Sequence, residues 1–179
     1  GSLVSAIEKL DEKMDSMDQT FDNLDPRLQK TEERIEAFFH HLINRLPQPT
    51  IVGGGYHSCA INLLSRLFCW GSNGYEQLGT GTNEDSNIPV EIALESAPSD
   101  ISLGFFHSCM LDMLSNIWCW GFNYYGQVGS GDTVDYYYNT PIQVSLENDA
   151  VKIALGFYHS CVIDILSNIW CWGRNDFGQ

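Results

Sequence analysis

Basic side chains are scarce in this sequence. Its 179 residues include 9 lysines and arginines against 23 aspartates and glutamates, a net charge of −14. From residue 50 onward there are three bases, Arg66, Lys152 and Arg174. Nucleic acids and anionic lipids are bound by clusters of Lys and Arg that neutralise phosphate, so neither is expected as a partner. The acidity is interpreted as a means of keeping an aromatic-rich protein soluble.

Long apolar runs are also lacking. None approaches the roughly 20 residues of a membrane-spanning helix, so membrane insertion is not expected. The sequence shows no paired carboxylates, no nucleophile matched to a base and no phosphate-binding loop, so we expect neither an enzyme nor a cofactor. No Asn-x-Ser/Thr acceptor occurs either, so glycosylation gives no information on the compartment.

Residues 3–46 have apolar side chains at heptad spacing. Eleven of the twelve a and d positions are apolar, a pattern that predicts a coiled-coil oligomerisation segment. A homo-oligomer is therefore expected, with three chains favoured over other numbers; a single amphipathic helix docked on its own domain is the alternative. The a positions are Ile7, Met14, Phe21, Leu28, Ile35 and Leu42, and the d positions are Leu3, Leu10, Met17, Leu24, Thr31 and Phe38.

Pro26 stands inside this segment, directly after Asp25. Proline removes a backbone donor and clashes with the preceding helical turn, but it is well tolerated as the first residue of a helix. The segment is therefore either one kinked helix or two helices that meet near residue 25.

A second period begins at residue 51. The stretch HSCAINLLSRLFCWGSN at 57–73 returns as HSCMLDMLSNIWCWGFN at 107–123 and as HSCVIDILSNIWCWGRN at 159–175. Repeats of this length predict a propeller or a solenoid, and short β-branched and aromatic runs between Gly and Asn predict antiparallel strands. We divide residues 51–179 into three repeats, 51–100, 101–152 and 153–179. Strands led by proline are expected at 88–94 and 140–146.

The six cysteines form three pairs with a spacing of ten residues. If each pair lies across a hairpin, the economical interpretation is one disulfide per repeat, Cys59–Cys69, Cys109–Cys119 and Cys161–Cys171, which implies an oxidising compartment. Free buried thiols are an alternative. Zinc is another, but His57 and two thiols give three ligands, whereas structural zinc takes four; no metal is expected.

His57, His107 and His159 recur in register and are interpreted as structural residues that anchor a backbone carbonyl. Trp70, Trp120 and Trp172 are interpreted as core residues. The glycine after each Trp is expected to permit close packing or a strand bend.

The repeats resemble those of the regulator of chromosome condensation (RCC1-like) family, on the stretches LGFFHSCMLD, IWCWGFNYYGQVGSG and TPIQV. The resemblance implies a mostly β fold of antiparallel β-propeller blades, about two and a half per chain, after the N-terminal α-helical coiled coil. The paired cysteines are similar to extracellular versions of the repeat. Glu76 departs from the family pattern, which has glycine there. Whether the propeller closes within a longer chain or between chains is left open.

We therefore predict a secreted, oligomeric recognition protein that binds carbohydrate at several blades at once. Such multivalent binding raises the overall affinity above that of a single site. The loops after each Trp-Gly offer aromatic rings and polar groups that suit sugars, although for the asparagines a role in holding the turns is the favoured interpretation. The candidate contacts are Asn73, Tyr75, Asn123, Tyr124, Tyr125, Asp135, Tyr136, Tyr137, Asn175 and Asp176.

Two other functions are kept. The chain could be a structural or adhesion module that binds extracellular protein partners through the propeller face. It could also be a scaffold that regulates a small GTPase, a role that requires a reducing cytosol.

Overall fold

The computed structural model describes Lys9, Lys13 and residues 26–43, 49–131 and 135–179. Contacts divide the chain into two units, Gly1–Leu46 and Pro47–Gln179. No helix of the described residues is long and apolar enough to cross a membrane. Within those same ranges, no group of three or more His, Cys, Asp or Glu side chains is arranged to hold a metal ion.

In the first unit, the helix α1 is described over Pro26–Ile43. Most of the predicted coiled coil (3–46) lies outside the described residues, as does the segment that would show whether Pro26 kinks or splits it. Two predicted seam positions, Ile35 and Phe38, are 44% and 60% exposed. The coiled coil and the oligomer stay predictions.

The second unit contains the strands of three antiparallel sheets, which we call blades 1, 2 and 3. Neighbouring strands in the sheets follow chain order, β1 to β4, β5 to β8 and β9 to β11. The predicted antiparallel blades are thus confirmed, and the second and third sheets begin slightly before the repeat boundaries at 101 and 153. The strands are β1 (Thr50–Gly53), β2 (His57–Ile61), β3 (Leu67–Gly71), β4 (Ser86–Glu91), β5 (Pro98–Leu103), β6 (His107–Asp112), β7 (Ile117–Phe122), β8 (Tyr137–Val144), β9 (Ala150–Leu155), β10 (His159–Asp164) and β11 (Ile169–Gly173).

The proline-led strands begin earlier than the sequence predicts. β8 starts at Tyr137 and not at Thr140, and β4 starts at Ser86. Both are outer strands, paired on one side only, and an edge strand tolerates a proline because the missing N–H is not needed by a neighbour. Pro89 and Pro141 therefore lie inside their strands.

The central hairpin of each blade carries its cysteine pair directly opposite. In blade 1 Cys59 pairs with Cys69 and Ile61 with Leu67, as the spacing predicts. The three disulfides are present, and the described residues include no free cysteine.

The core lies between the blades. Successive side chains of a strand point to opposite faces, so β6 contributes to both interfaces. Met110 belongs to the buried cluster between blades 1 and 2, whereas Cys109 and Leu111 belong to the cluster between blades 2 and 3. Each blade therefore has its apolar side chains buried largely by its neighbours.

The hairpin tip of blade 2 is closed by a buried carboxylate. Asp112 accepts hydrogen bonds from the backbone amides of Leu114 and Asn116 at 2.8 and 2.9 Å and from Trp118 Nε1 at 3.0 Å. Burial favours a higher pKa for Asp112, but these bonds, with those from the side chains of Ser96 and Asn116, outweigh it and lower the pKa to about 2.

Removing the disulfide of blade 2 should destabilise the protein. Closing a loop of about ten residues is worth about 2 to 3 kcal/mol of unfolding free energy, so Cys109→Ala/Cys119→Ala should lose about that much in urea denaturation. Cys161→Ala/Cys171→Ala opens a loop of the same length in blade 3 and should lose a similar amount. An unchanged denaturation midpoint in both variants would contradict the prediction.

Candidate functional site

A hydrogen-bonded link joins blade 1 to blade 2. His57 Nε2 lies 2.7 Å from the hydroxyl of Ser108, and that hydroxyl donates to the carbonyl oxygen of Gln77 at 2.7 Å. The indole Nε1 of Trp120 donates to the same carbonyl at 2.8 Å. His57 and Gln77 belong to blade 1 and Ser108 and Trp120 to blade 2, so the four residues hold the two blades together.

The same link recurs between blades 2 and 3. His107 Nε2 lies 2.9 Å from Ser160 Oγ, Ser160 donates to the carbonyl of Gln127 at 2.8 Å, and Trp172 Nε1 donates to that carbonyl at 2.9 Å. We call these two arrangements the blade links. The structural interpretation stays a prediction for His159 and is confirmed, with one correction, for His57 and His107. Their partner is a serine hydroxyl of the next blade, which passes the bond to a carbonyl.

The link geometry sets the tautomer of the histidines. A serine hydroxyl has one hydrogen, and here it is donated to the glutamine carbonyl. The hydroxyl can therefore only accept from the histidine, so Nε2 carries the ring hydrogen. Nδ1 of His57 and of His107 is buried and has no hydrogen-bond partner among the described residues.

Both histidines are held neutral. Burial lowers the pKa of His57 to about 4. Burial, followed by the charges of His57 and His159, lowers the pKa of His107 to about 3. An imidazolium would have to place a second N–H, at Nδ1, in a site without an acceptor.

Glycines allow the blades to approach closely. A Cβ on Gly79 would come within 2.7 Å of Trp120 Nε1, and one on Gly129 within 2.6 Å of Trp172 Nε1. Gly121, which follows Trp120, has φ +97°, and a Cβ there would lie 2.7 Å from the carbonyl oxygen of Phe106. The expectation that the glycine after Trp permits close packing is met.

The predicted contacts Asn73 and Asn123 are fully buried. Asn73 Oδ1 accepts from the backbone amide of Leu78 at 2.9 Å, and its Nδ2 donates to the carbonyl of Thr82 at 2.8 Å. Asn123 Oδ1 accepts from the amide of Val128 at 3.0 Å in the same way. Both asparagines hold their loops, which leaves them no surface for a ligand; Asn175 of blade 3 is exposed.

Aromatic side chains converge at one end of the blades. The turns before β2, β6 and β10 and the loops after β3 and β7 all lie at this end, because the strands alternate in direction. Their rings contact one another with centroids 4.2 to 6.4 Å apart. We call this surface the aromatic face. It consists of Tyr56, Tyr75, Phe105, Phe106, Phe122, Tyr124, Tyr125, Tyr136, Tyr137, Phe157 and Tyr158.

Many of these rings are open to solvent. Tyr56 is 57% exposed, Tyr124 56%, Tyr136 50% and Phe157 63%. Contacts run across all three blades, since Tyr56 stacks on Phe106 at 5.5 Å and Phe105 on Phe157 at 4.5 Å. Contiguous exposed apolar surface of this kind is typical of interaction sites.

The structure brings together five predicted contacts and adds six aromatic residues that were missed. Tyr75, Tyr124, Tyr125, Tyr136 and Tyr137 belong to the aromatic face. The missed residues are Tyr56, Phe105, Phe106, Phe122, Phe157 and Tyr158. The available signal was that the residue before each repeated His is aromatic.

Charged side chains border the aromatic face. The Arg174 guanidinium lies 5.1 Å from the centre of the Tyr125 ring and 5.7 Å from that of Tyr158. Its Nε donates to Asp176 at 2.5 Å, so the predicted contact Asp176 is engaged within blade 3. The predicted contact Asp135 is exposed next to Tyr136.

Comparison with known families identifies the repeats. The regulator of chromosome condensation (RCC1) repeat matches residues 65–111 and 115–163, and a second description of that repeat matches 50–77, 99–127 and 150–179. The chain therefore belongs to the RCC1 repeat family.

Curated relatives are similar over about 70% of the chain. The ultraviolet-B receptor UVR8 of Arabidopsis thaliana is 33% identical over 130 residues, 70% of this chain and 29% of the receptor. The probable E3 ubiquitin-protein ligase HERC4 of Homo sapiens is 34% identical over 126 residues, 70% of this chain and 7% of the ligase. The chain spans less than a third of the length of either protein.

Solved structures confirm the propeller fold. Human WBSCR16 superposes with a TM-score of 0.67 at 16% identity, over 72% of this chain and 33% of that one. Prp20p of Saccharomyces cerevisiae superposes with a TM-score of 0.64 at 22% identity, over 71% of this chain and 33% of that one. At these identities the likeness concerns the fold.

The neutral histidines should make the protein acid-sensitive. Because the folded-state pKa values of His57 and His107 lie below the ordinary 6.5, the unfolded chain binds more protons between these values. The contribution of the neutral histidines to the free energy of unfolding is therefore fully present above pH 6.5. It falls as the pH is lowered toward 4, by about 1.4 kcal/mol per pH unit for each histidine. Urea denaturation at pH 7, 6 and 5 measures this slope. His107→Gln should show a smaller slope, and a flat wild-type profile would contradict the neutral links.

Proposed function

We propose that the protein is an oligomeric, extracellular recognition module that binds protein partners through the aromatic face. The observation that carries this proposal is the contiguous set of exposed rings across three blades. Tyrosine and phenylalanine are enriched in protein interfaces because they supply large contact areas at low conformational cost.

The net charge of the second unit, Pro47–Gln179, favours a particular class of protein partner. The three bases after residue 50 are engaged in ion pairs, Arg66 with Glu91, Lys152 with Asp100 and Arg174 with Asp176. The remaining acids are in excess, which favours encounter with a basic partner. We therefore propose a partner surface that carries Lys or Arg among apolar residues.

The disulfides support an oxidising compartment, and the heptads of residues 3–46 support an oligomer, which we propose to be a trimer, that multiplies weak contacts. Prp20p, whose fold this chain shares, has been studied for binding to Gsp1p and histones. This supports protein binding as a use of the fold. A role in regulating a small GTPase in the cytosol is less favoured, because the disulfides would be reduced there.

Carbohydrate binding is the second candidate function. It is favoured by the exposed Tyr136 and Tyr137 beside Asp135, since sugars stack on rings and bond to carboxylates. Four of the eleven residues of the aromatic face, however, are phenylalanines without a polar group, and their contacts connect the tyrosines of the three blades into an apolar surface that suits a protein partner better.

Selection from a random peptide library displayed on phage tests the proposal. The enriched peptides should combine basic and aromatic residues, and Tyr56→Ser/Phe157→Ser should weaken their binding at least tenfold, because both side chains are exposed on the aromatic face. Leu64→Ser/Leu114→Ser is the matched control, since these exposed residues lie at the hairpin tips, at the opposite end of the blades.

A failure to enrich any peptide, or equal losses in both variants, would contradict protein binding through the aromatic face. A glycan array on the same protein tests the second candidate. A glycan whose binding requires Tyr136 and Tyr137 would support the carbohydrate function instead.

A further inference from the structure

We infer that a pocket at the edge of the aromatic face binds a cationic side chain, lysine or arginine, of the partner. This inference rests on the proposed function and names the chemistry of one contact. The pocket lies between the loop after β3 in blade 1 and the start of β8 in blade 2. We call it the cation pocket; it is lined by Glu76, Asp135, Tyr136, Tyr137, Tyr138, Asn139 and Thr140.

The two walls of the cation pocket are fixed to each other. The backbone amide of Gly81 donates to the carbonyl of Asn139 at 2.7 Å, and Asn139 Nδ2 donates to the carbonyl of Gly81 at 3.2 Å. Asn123, which is fully buried, donates its backbone amide to the carbonyl of Tyr136 at 2.8 Å. The loops of two blades are thus held in place before a ligand arrives.

Glu76 is the residue that distinguishes this pocket from the equivalent positions of the other blades. Gly126 and Gly178 occupy those positions with φ of 76° and 83°, and Glu76 adopts φ 62°. A left-handed conformation is unfavourable for a residue with a Cβ, so local folding alone favours glycine there. Blade 1 instead places a carboxylate in the loop that carries Tyr75.

The lining groups match an organic cation. Two carboxylates and the exposed rings of Tyr136 and Tyr137 line the pocket, and no lining residue is basic. Carboxylates bind ammonium and guanidinium groups through charge-assisted hydrogen bonds, and tyrosine rings attract the same cations through their faces. A calcium ion prefers six to eight oxygen ligands, so aromatic walls suit it less.

The carboxylates of the cation pocket are available for a ligand. Glu91, Asp100 and Asp176 each form an ion pair with a base of this chain. Glu76 and Asp135 form no ion pair within the parts of the chain that the structure describes. A lysine or arginine from a partner would supply the missing countercharge.

Titrating ¹⁵N-labelled protein with small probes tests the cation pocket. Nα-acetyl-lysine N-methylamide and Nα-acetyl-arginine N-methylamide should shift the amide resonances of Glu76, Tyr136 and Tyr137 with a Kd on the order of 1 mM. The uncharged analogue Nα-acetyl-norleucine N-methylamide, which has the alkyl chain of lysine without the ammonium group, should bind at least tenfold more weakly.

Glu76→Gly should weaken both cationic probes at least fivefold without lowering the thermal midpoint, because it introduces the residue that blades 2 and 3 have. Asp135→Asn should weaken them similarly. Asp176→Asn is the control, since that carboxylate is already paired with Arg174, and it should leave the affinity unchanged.

Equal affinity for norleucine, or unchanged lysine binding in Glu76→Gly, would overturn the inference. The inference would also be overturned if methyl α-mannoside shifted these amide resonances while the lysine probe did not. The proposed function fails separately: Tyr56 and Phe157 do not line the cation pocket, so selected peptides that bind equally well without them would refute the aromatic face while leaving the pocket intact.

Discussion

The arrangement of the blades depends on the bond between a histidine of one blade and a serine of the next. The serine bonds in turn to a glutamine carbonyl of the first blade, which also accepts the indole of the second. All groups in this link are buried, and a buried polar group that loses its partner costs more free energy than the bond itself contributes. Separating two blades therefore requires breaking this set of buried bonds.

The links also determine where the aromatic face lies. Tyr56 directly precedes His57, and Phe106 directly precedes His107. Anchoring the histidines therefore brings the preceding rings together across the blade interface. Cys59 and Cys109 lie two residues after His57 and His107, and their disulfides hold each hairpin in register. Structural residues and surface rings lie within a few positions of each other in each repeat, so the rigid interior supports the exposed aromatic face.

The blades share the residues that link them and differ in several loop residues. The His–Ser–Gln–Trp link is identical at both interfaces, whereas Glu76 in blade 1 stands where blades 2 and 3 have glycine. Asn62 likewise replaces the tip carboxylate found at Asp112 and Asp164, yet it accepts the same backbone bonds, from Leu64 and Arg66. Loops placed on a rigid scaffold are where binding specificity is usually found, and Glu76 is a difference of this kind.

Local features were predictable from the sequence, and contacts between repeats were not. The spacing of Cys59 and Cys69 predicts the hairpin register, because the length of the turn determines which residues of the two strands lie opposite each other. The partner of His57 could not be inferred, since Ser58 is its chain neighbour while the bond goes to Ser108 of the next blade. The aromatic face escaped prediction for the same reason: Tyr56 and Phe106 meet only when the blades pack. Tyr137 was expected in a loop and lies at the start of β8, because an outer strand can extend past its proline.

The most direct test of this account is the protonation state of the link histidines. Long-range ¹H–¹⁵N correlation spectra at pH 6 report which ring nitrogen carries hydrogen. The account predicts neutral rings at His57 and His107, protonated at Nε2 and bare at Nδ1. Protonation at Nδ1, or an imidazolium at either residue, would contradict it, because the serine hydroxyl could not then receive its bond from a neutral Nε2–H.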